Sequence, residues 1–386
     1  MTTSQLFETL VHQLGPLAPW LDVRHLKTLG WMMVGLMVFG RISLTAWALL
    51  ITGRACYLQS KVRRLSRWLS NDRVQVHSLY GPVIQQALAS WGDHRLYLAL
   101  DTSLLWEHFC LVRLAVVVRG RAVPLAWRVL EHPSSSVAYD QYRDLLDQAA
   151  TLLPAGCPVV FLADRGFVDT QLLAHLQRLG WHWRLRLKAN ISVYRRGQRC
   201  RLGRVSLAAG QALFWHHVFI TDQRYGPVHL ALARLPDSRQ TWFIVSDEPT
   251  DVTTFDEYGL RFDIEENFLD DKSNGFQLEA SYLRSAAALE RLCLVLALVT
   301  LYLTVQGIEV VRPGKRRWVD PHWFRGSSYL KIGWNWIKLA LVQGLDLITH
   351  LHLSGEPDPE PAISSRTQFF KQRGPELRVQ FVSYAP

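Results

Sequence analysis

The spacing of apolar positions divides the chain near residue 93. Up to that point the pattern is mostly helical. In Q-S-K-V-R-R-L-S-R-W-L-S-N, Val62, Leu65, Trp68 and Leu69 share one stripe while Lys61, Arg64 and Arg67 lie elsewhere, an amphipathic basic helix that fits either a solvated surface or a phosphate contact. Beyond Gly92 the period shortens to two. R-L-Y-L-A-L-D-T-S reads as a strand ending near Asp101, F-C-L-V-R-L-A-V-V-V-R-G as a second strand closed by a glycine turn, and R-A-V-P-L-A-W-R-V-L as a third whose proline suits an edge or a bulge. Short connections make these an antiparallel meander. A helix follows over Ser136 to Leu153. P-V-V-F-L-A-D-R-G-F is then a buried strand ending at Asp164, Thr170 to Leu179 a short helix stopped by Gly180, and W-H-W-R-L-R-L-K a fifth strand.

The order β-β-β-α-β-α-β is the layout of ribonuclease H-like domains. It places the fourth strand beside the first, so Asp101 and Asp164 emerge as neighbours. Residues 191–246 alternate in short runs broken by Gly, Asp and Pro, which predicts a β-rich insertion. T-F-D-E has the form of a capping box, starting near Thr254 a helix that carries Tyr258 to Lys272 and fades before Gly275. Leu283 to Val305 reads as a long buried helix, residues 314–353 as further basic, tryptophan-rich helix, and the following stretch with E-P-D-P-E-P as a loose tail. The expected fold is α/β: a ribonuclease H-like core (94–190 and 249–312) with a β-rich insertion (191–248), flanked by a helical N-terminal region (1–93) and a helical C-terminal region with its tail (313–386).

Composition narrows the partner class. With 49% hydrophobic and 20% charged residues the chain is globular, and its net charge of +10 suits a polyanion, either nucleic acid or an anionic membrane surface. Trp31 to Gly53 is broken by Gly40 and Arg41, and Leu292 to Val305 is short for a span. Both therefore read as buried helices, and no membrane partner is expected. The 5 cysteines lack metal-ligand spacing, which predicts reduced thiols, no zinc site and a cytosolic protein. M-T-T-S-Q-L-F-E-T-L lacks the basic start and apolar core of a signal peptide.

The densest chemistry lies in Y-G-L-R-F-D-I-E-E-N-F-L-D-D-K. On one helical wheel Tyr258, Arg261, Glu265 and Lys272 fall within an arc of about 60°, with apolar shoulders on both sides. Two readings fit: an amphipathic helix with intrahelical pairs such as Arg261–Glu265, or a charged seam at the edge of a cleft. A lone aspartate at a strand end is commonly a cap or turn residue. Asp101 and Asp164 on neighbouring strand ends, followed by a helical glutamate, instead make three carboxylates that repel one another. Mg²⁺ relieves such repulsion through hard oxygen ligands, and two such ions about 4 Å apart suit in-line displacement at phosphorus. No P-loop and no nucleophile signature competes.

Tyr258, Arg261, Glu265 and Lys272 match the Y-(2)-R-(3)-E-(6)-K signature in type and spacing. L-A-L-D-T-S at Asp101 and L-A-D-R-G-F at Asp164 look like the accompanying aspartate motifs. On these residues the chain resembles bacterial insertion-sequence transposases of the cut-and-paste DDE type, over roughly Leu96 to Gln306. The resemblance implies a catalytic, metal-binding triad of Asp101, Asp164 and Glu265 holding two Mg²⁺ ions, which Mn²⁺ can replace. It implies phosphate contacts by Tyr258, Arg261 and Lys272, with Arg165 as a further contact. Trp242, in T-W-F-I-V-S-D-E-P, takes the position of a tryptophan that stacks on a flipped base, a reading that competes with a plain core tryptophan. The implied reaction is nicking at the element end, a hairpin formed by the freed 3′-OH, its reopening, and strand transfer. The implied partners are double-stranded DNA (terminal inverted repeats and target) and a second copy in a synaptic homodimer, in the cytoplasm at the nucleoid.

Two other classes share parts of this pattern. A ribonuclease H-like nuclease that cuts without joining would keep the same three carboxylates. An inactive, domesticated DNA-binding derivative would need none of them, and all three are present.

Overall fold

The computed structural model describes residues 1–386 except 21, 54, 236–239, 273–274, 324–325, 361–377 and 381–386. Five helices open the chain: α1 (Thr3–Leu14), α2 (Val23–Phe39), α3 (Leu44–Leu50), α4 (Leu58–Leu69) and α5 (Val76–Leu88). Side chains satisfy their first-turn N–H groups: Thr2 and Gln5 form a reciprocal box on α1, Asp22 caps α2 and Ser43 caps α3. Gly40, at φ +67°, ends α2, and the chain turns by 106° into α3, so the apolar run from Trp31 to Gly53 is two helices. α4 buries Leu65, Trp68 and Leu69, as its stripe predicts. Two of its cations serve the fold: Lys61 donates to the Ile51 carbonyl (2.6 Å) and Arg64 to Thr28 Oγ1 (2.9 Å).

The alternating segment folds as its pattern predicts. β1 (Leu96–Leu105), β2 (Phe109–Val118) and β3 (Arg121–Glu131) pair antiparallel. α6 (Arg143–Leu152) crosses to β4 (Val159–Ala163), parallel to β1, and α7 (Thr170–Arg178) to β5 (His182–Arg186), parallel to β4. Pro124 sits where the β2–β3 register slips, on the sheet's edge strand, so its missing N–H breaks no inner ladder. β6 (Ser192–Arg195), β7 (Gln198–Arg201), β8 (Gln211–Ile220), β9 (Tyr225–Arg234) and β10 (Thr241–Ser246) continue the same sheet, because β10 pairs antiparallel with β5. The order across the sheet is 3-2-1-4-5-10-9-8-6-7.

Helices α8 (Thr253–Gly259), α9 (Phe262–Asp271), α10 (Ala286–Val311) and α11 (Tyr329–Gln343) follow, and β11 (Arg378–Gln380) pairs with β8. α10 is long and apolar enough to cross a membrane by length and composition, yet 94% of its most apolar stretch is buried inside the protein. Its backbone touches that of α11: a Cβ on Gly333 would lie 1.9 Å from the Leu303 carbonyl oxygen, so no larger residue fits there.

Four expectations need correction. β1 does not end at Asp101 but continues to Leu105, because β2 keeps pairing with it after β4 has stopped. The helix expected from Ser136 starts at Arg143, after a single 3-10 turn over Tyr139–Gln141. The helix expected near Thr254 begins at Thr253, but without the capping box: Thr254 Oγ1 accepts from the Asp251 N–H (3.0 Å) and Asp251 accepts from the Thr253 N–H (2.8 Å), both just ahead of the helix. It also breaks after Gly259, a poor helix former, where i to i−3 bonds such as Arg261 N–H to the Tyr258 carbonyl (3.0 Å) tighten the backbone. The single wheel therefore does not carry across Leu260. The start of the tail, before residue 361, is tied down rather than loose: Arg119 donates to the Glu356 carbonyl (3.2 Å), and Tyr329 to Asp358 (2.5 Å). Most of the remaining tail lies outside the described residues.

Candidate functional site

The β1–β4 ladder closes at Leu100 opposite Ala163. Asp101 and Asp164 are the next residue on each strand, so their backbones stand on adjacent strands about 4.8 Å apart. This is the carboxyl end of β4 and of its parallel ladder with β1, where open α/β sheets form ligand crevices. Asp101 is held from two sides: Oδ1 accepts from the Thr102 N–H (2.8 Å) and Oδ2 from Arg261 Nη1 (3.2 Å). Burial pushes its carboxyl up to about 6. The Thr102 N–H and the Arg261 charge oppose that rise, and the negative charges of Glu265 and Asp164 add to it. Both other carboxylates are therefore felt at Asp101.

The helical pair α8–α9 supplies the third acid and its supports. Arg261, at the break between the two helices, is 4% exposed and donates to Glu265 Oε1 (2.5 Å) as well as to Asp101. Tyr258 is fully buried and donates to Asp164 Oδ1 (3.4 Å), and burial raises its phenol to about 12. One arginine and one tyrosine thus link the helices to both aspartates. Glu265 is 49% exposed and faces this cluster, whereas Glu266 turns toward Arg121 of β3 (3.5 Å).

Trp242 stands half-buried on β10, edge-on to Tyr258 (5.6 Å between ring centroids), with the Arg186 guanidinium 5.7 Å from its own ring. Arg165 is exposed beside Asp164 and shares a recess with Arg186, Ala189, Gly203 and Gln240. Lys272 lies apart from the cluster. Its Nζ donates to the Leu104 carbonyl on β1 and stands 3.5 Å from Glu279.

The sequence reasoning missed a second arginine. Arg113, directly opposite Asp101 in the β1–β2 ladder, is fully buried and reaches Asp271 (2.7 Å) and Asn267 (2.7 Å) on α9, with its guanidinium 5.0 Å from the Phe268 ring. The signal was present as one charge inside the apolar run F-C-L-V-R-L-A-V-V-V, which cannot be buried without partners. Arg184 plays a like part on β5, bonded to Glu248 and Glu257 (2.7 Å each).

Among the described residues, His182, Asp247 and Glu248 bring metal-ligating atoms within 4.8 Å of one another. Arginine already neutralises this group, since Glu248 pairs with Arg184 and Arg95, and Asp247 accepts from His182 and the Trp183 N–H. Asp101, Asp164 and Glu265 are spaced more widely, with Arg261 between the first and the last. Their donor set is all carboxylate oxygen, which fits a hard divalent cation.

A family model described as Transposase DDE domain matches residues 107–302, a span that holds Asp164, Trp242, Tyr258, Arg261, Glu265 and Lys272 and begins just after Asp101. No curated protein shows significant sequence similarity to the chain. Among solved structures, the cryo-EM structure of the piggyBac transposase synaptic complex with hairpin DNA is similar over 100% of this chain and 91% of that chain, at 9% identity and a TM-score of 0.44, too loose a likeness to carry an argument.

Proposed function

Because the chain belongs to the Transposase DDE domain family, and so is an enzyme that cleaves and transfers DNA, we propose that it catalyses metal-dependent cut-and-paste transposition of its own insertion sequence, with Asp101, Asp164 and Glu265 as the metal-binding and catalytic triad. One observation carries this assignment. Asp101 within β1 and Asp164 just past the end of β4 stand at the same level on adjacent strands, and Arg261 joins the first of them to a helical glutamate.

The three carboxylates would hold two Mg²⁺ ions, or Mn²⁺ in their place, which when bound supply charge neutralisation at the scissile phosphate and activation of water or a 3′-hydroxyl. The chain's own residues do the rest. The paired body of β1 and the end of β4 give Asp101 and Asp164 a rigid base, while Arg261 orients Glu265 and is one contact away from an incoming phosphate. Arg165 and Lys272 are the further phosphate contacts, while Tyr258, fully buried and bonded to Asp164, acts on the site through that aspartate. Trp242, half-buried beside Tyr258, stacks on a base flipped from the duplex during hairpin formation. The strand order 3-2-1-4-5, with the first three antiparallel, supports a ribonuclease H-like core (94–190 and 249–312) interrupted by the strands of 191–248. The helices of 1–93 bind the terminal inverted repeats, in a cytoplasmic homodimer that bridges two element ends and target DNA at the nucleoid.

The test uses element ends taken from the DNA flanking the gene. Asp101→Ala is expected to lower Mg²⁺-dependent cleavage and strand transfer on the order of 1,000-fold, about 4 kcal/mol, with an unchanged thermal melt. Wild-type activity in that variant sinks the triad. Good cleavage by the wild type without joined product makes the protein a nuclease.

A further inference from the structure

Residues 170–221 contain nine arginines and lysines and no aspartate or glutamate, in a chain whose whole net charge is +10. Ordinary solvated surfaces intersperse the two signs, so a single-sign run of this length creates a field, and its sign suits a polyanion. Some of these cations are used internally: Arg184 is buried between Glu248 and Glu257, and Arg178 and Arg199 face Asp147 and Asp222. Lys188, Arg201 and Arg204 are exposed and make no ion pair among the described residues.

The fold gathers these three beside the site. β6 and β7 form a hairpin turned at Arg196–Gly197, both at positive φ (+49° and +75°), the turn whose twist matches that of its strands. The base of the hairpin is fastened next to β5: the Gly203 N–H donates to the Ala189 carbonyl (2.7 Å), and Ala189 and Gly203 line the same recess as Arg165 and Arg186. The recess thus leads from the loop after Asp164 to the hairpin. A strand of four residues reaches about 13 Å, or about four phosphate spacings of a DNA strand.

We propose that the β6–β7 hairpin and its base form a second DNA-backbone contact, running from Arg165 and Arg186 past Lys188, Arg204 and Arg201, that holds the duplex flanking the reacting phosphate. The proposal rests on Asp101, Asp164 and Glu265 being the cutting centre. The contact is to phosphates, so its contribution is the same for any sequence.

The triple variant Lys188→Gln/Arg201→Gln/Arg204→Gln tests this against the wild type and against Arg143→Gln/Arg178→Gln on α6 and α7. The probes are random-sequence duplexes of about 12 and about 40 base pairs, titrated over a range of salt concentrations. The triple variant is expected to lose about 2–3 units of salt slope on the longer duplex, and affinity on the order of 100-fold at about 0.1 M salt. Arg201→Lys/Arg204→Lys, which keeps the charge, is expected to retain the slope. An unchanged slope in the triple variant, or an equal loss in the α6–α7 variant, overturns the proposal. Cleavage that is lost in Asp101→Ala keeps the cutting centre whatever the slope shows, so the hairpin can fail alone.

Discussion

At one end of α9, Arg261 lies between Asp101 and Glu265, and Glu265 is half open to solvent. At the other end, Arg113 reaches from β2 to Asp271 and Asn267, and the side chains of Arg113 and Asp271 are 0% and 2% exposed. Both are arginine–carboxylate pairs between the sheet and one short helix, and they do different work. The Arg113 pair is sealed. Neither charge can leave without stranding the other in an apolar interior, so this pair fixes where α9 sits on β1 and β2. The Arg261 pair has a wet side. In the proposed site its arginine would trade a carboxylate for a phosphate, since Glu265 is open to solvent. Burial, rather than residue type or distance, separates the pair that positions from the pair that can react.

The sharpest way to break this comparison is to unseal the buried pair. Arg113→Ala is expected to cost about 3–5 kcal/mol of unfolding free energy in denaturant melts, while Arg113→Met/Asp271→Leu recovers most of that loss. A single variant within about 0.5 kcal/mol of wild type would mean that the pair is not structural. A buried group far from α9 sharpens the contrast through pH. On β9, burial lowers the His229 imidazole to about 4, and His216 and His217 lower it further, with Asp247 opposing and Arg184 reinforcing. His216 Nδ1 stands 3.0 Å from His229 Nδ1. A depressed imidazole stabilises the fold above the unfolded value of 6.5, and that stability is lost as pH falls through 4. The shift corresponds to roughly 2–3 kcal/mol, and His229→Gln should flatten the stability profile between these two values in thermal melts taken across pH. The smallest effect falls at Lys272, which borders both kinds of contact. If it touches phosphate, Lys272→Ala lowers the salt slope of DNA binding by about one unit. Lost stability of about 1 kcal/mol with an unchanged slope would place it with Arg113, as a tie to the Leu104 carbonyl.

The strands of the core were legible from spacing, because alternation and apolar runs record how each residue meets its sheet neighbours. L-A-L-D-T-S and L-A-D-R-G-F could be read as strand-end acids without knowing what packed on them. The charged stripe of Tyr258, Arg261 and Glu265 was legible only in part. One wheel placed the residues together, yet the helix breaks at Gly259, and it is the break that lets Tyr258 reach Asp164 while Arg261 reaches Asp101. Lys272, on the same wheel, ends up on β1 instead. Arg113 gave a visible signal, a charge within an apolar run, but no partner could be named, because Asp271 is distant in sequence and its pairing depends on how α9 docks.

Periodicity and turn residues therefore sufficed for most elements and their order, and motif spacing for naming the three acids proposed as the triad, since each depends on neighbours within a few positions. Three features required the folded chain: the continuity of the sheet through β5 and β10, the sealed Arg113–Asp271 pair, and the recess joining Arg165 to the basic hairpin. Each depends on packing between segments far apart in the chain, where burial sets the strength of a charge and no local pattern records who the partner will be.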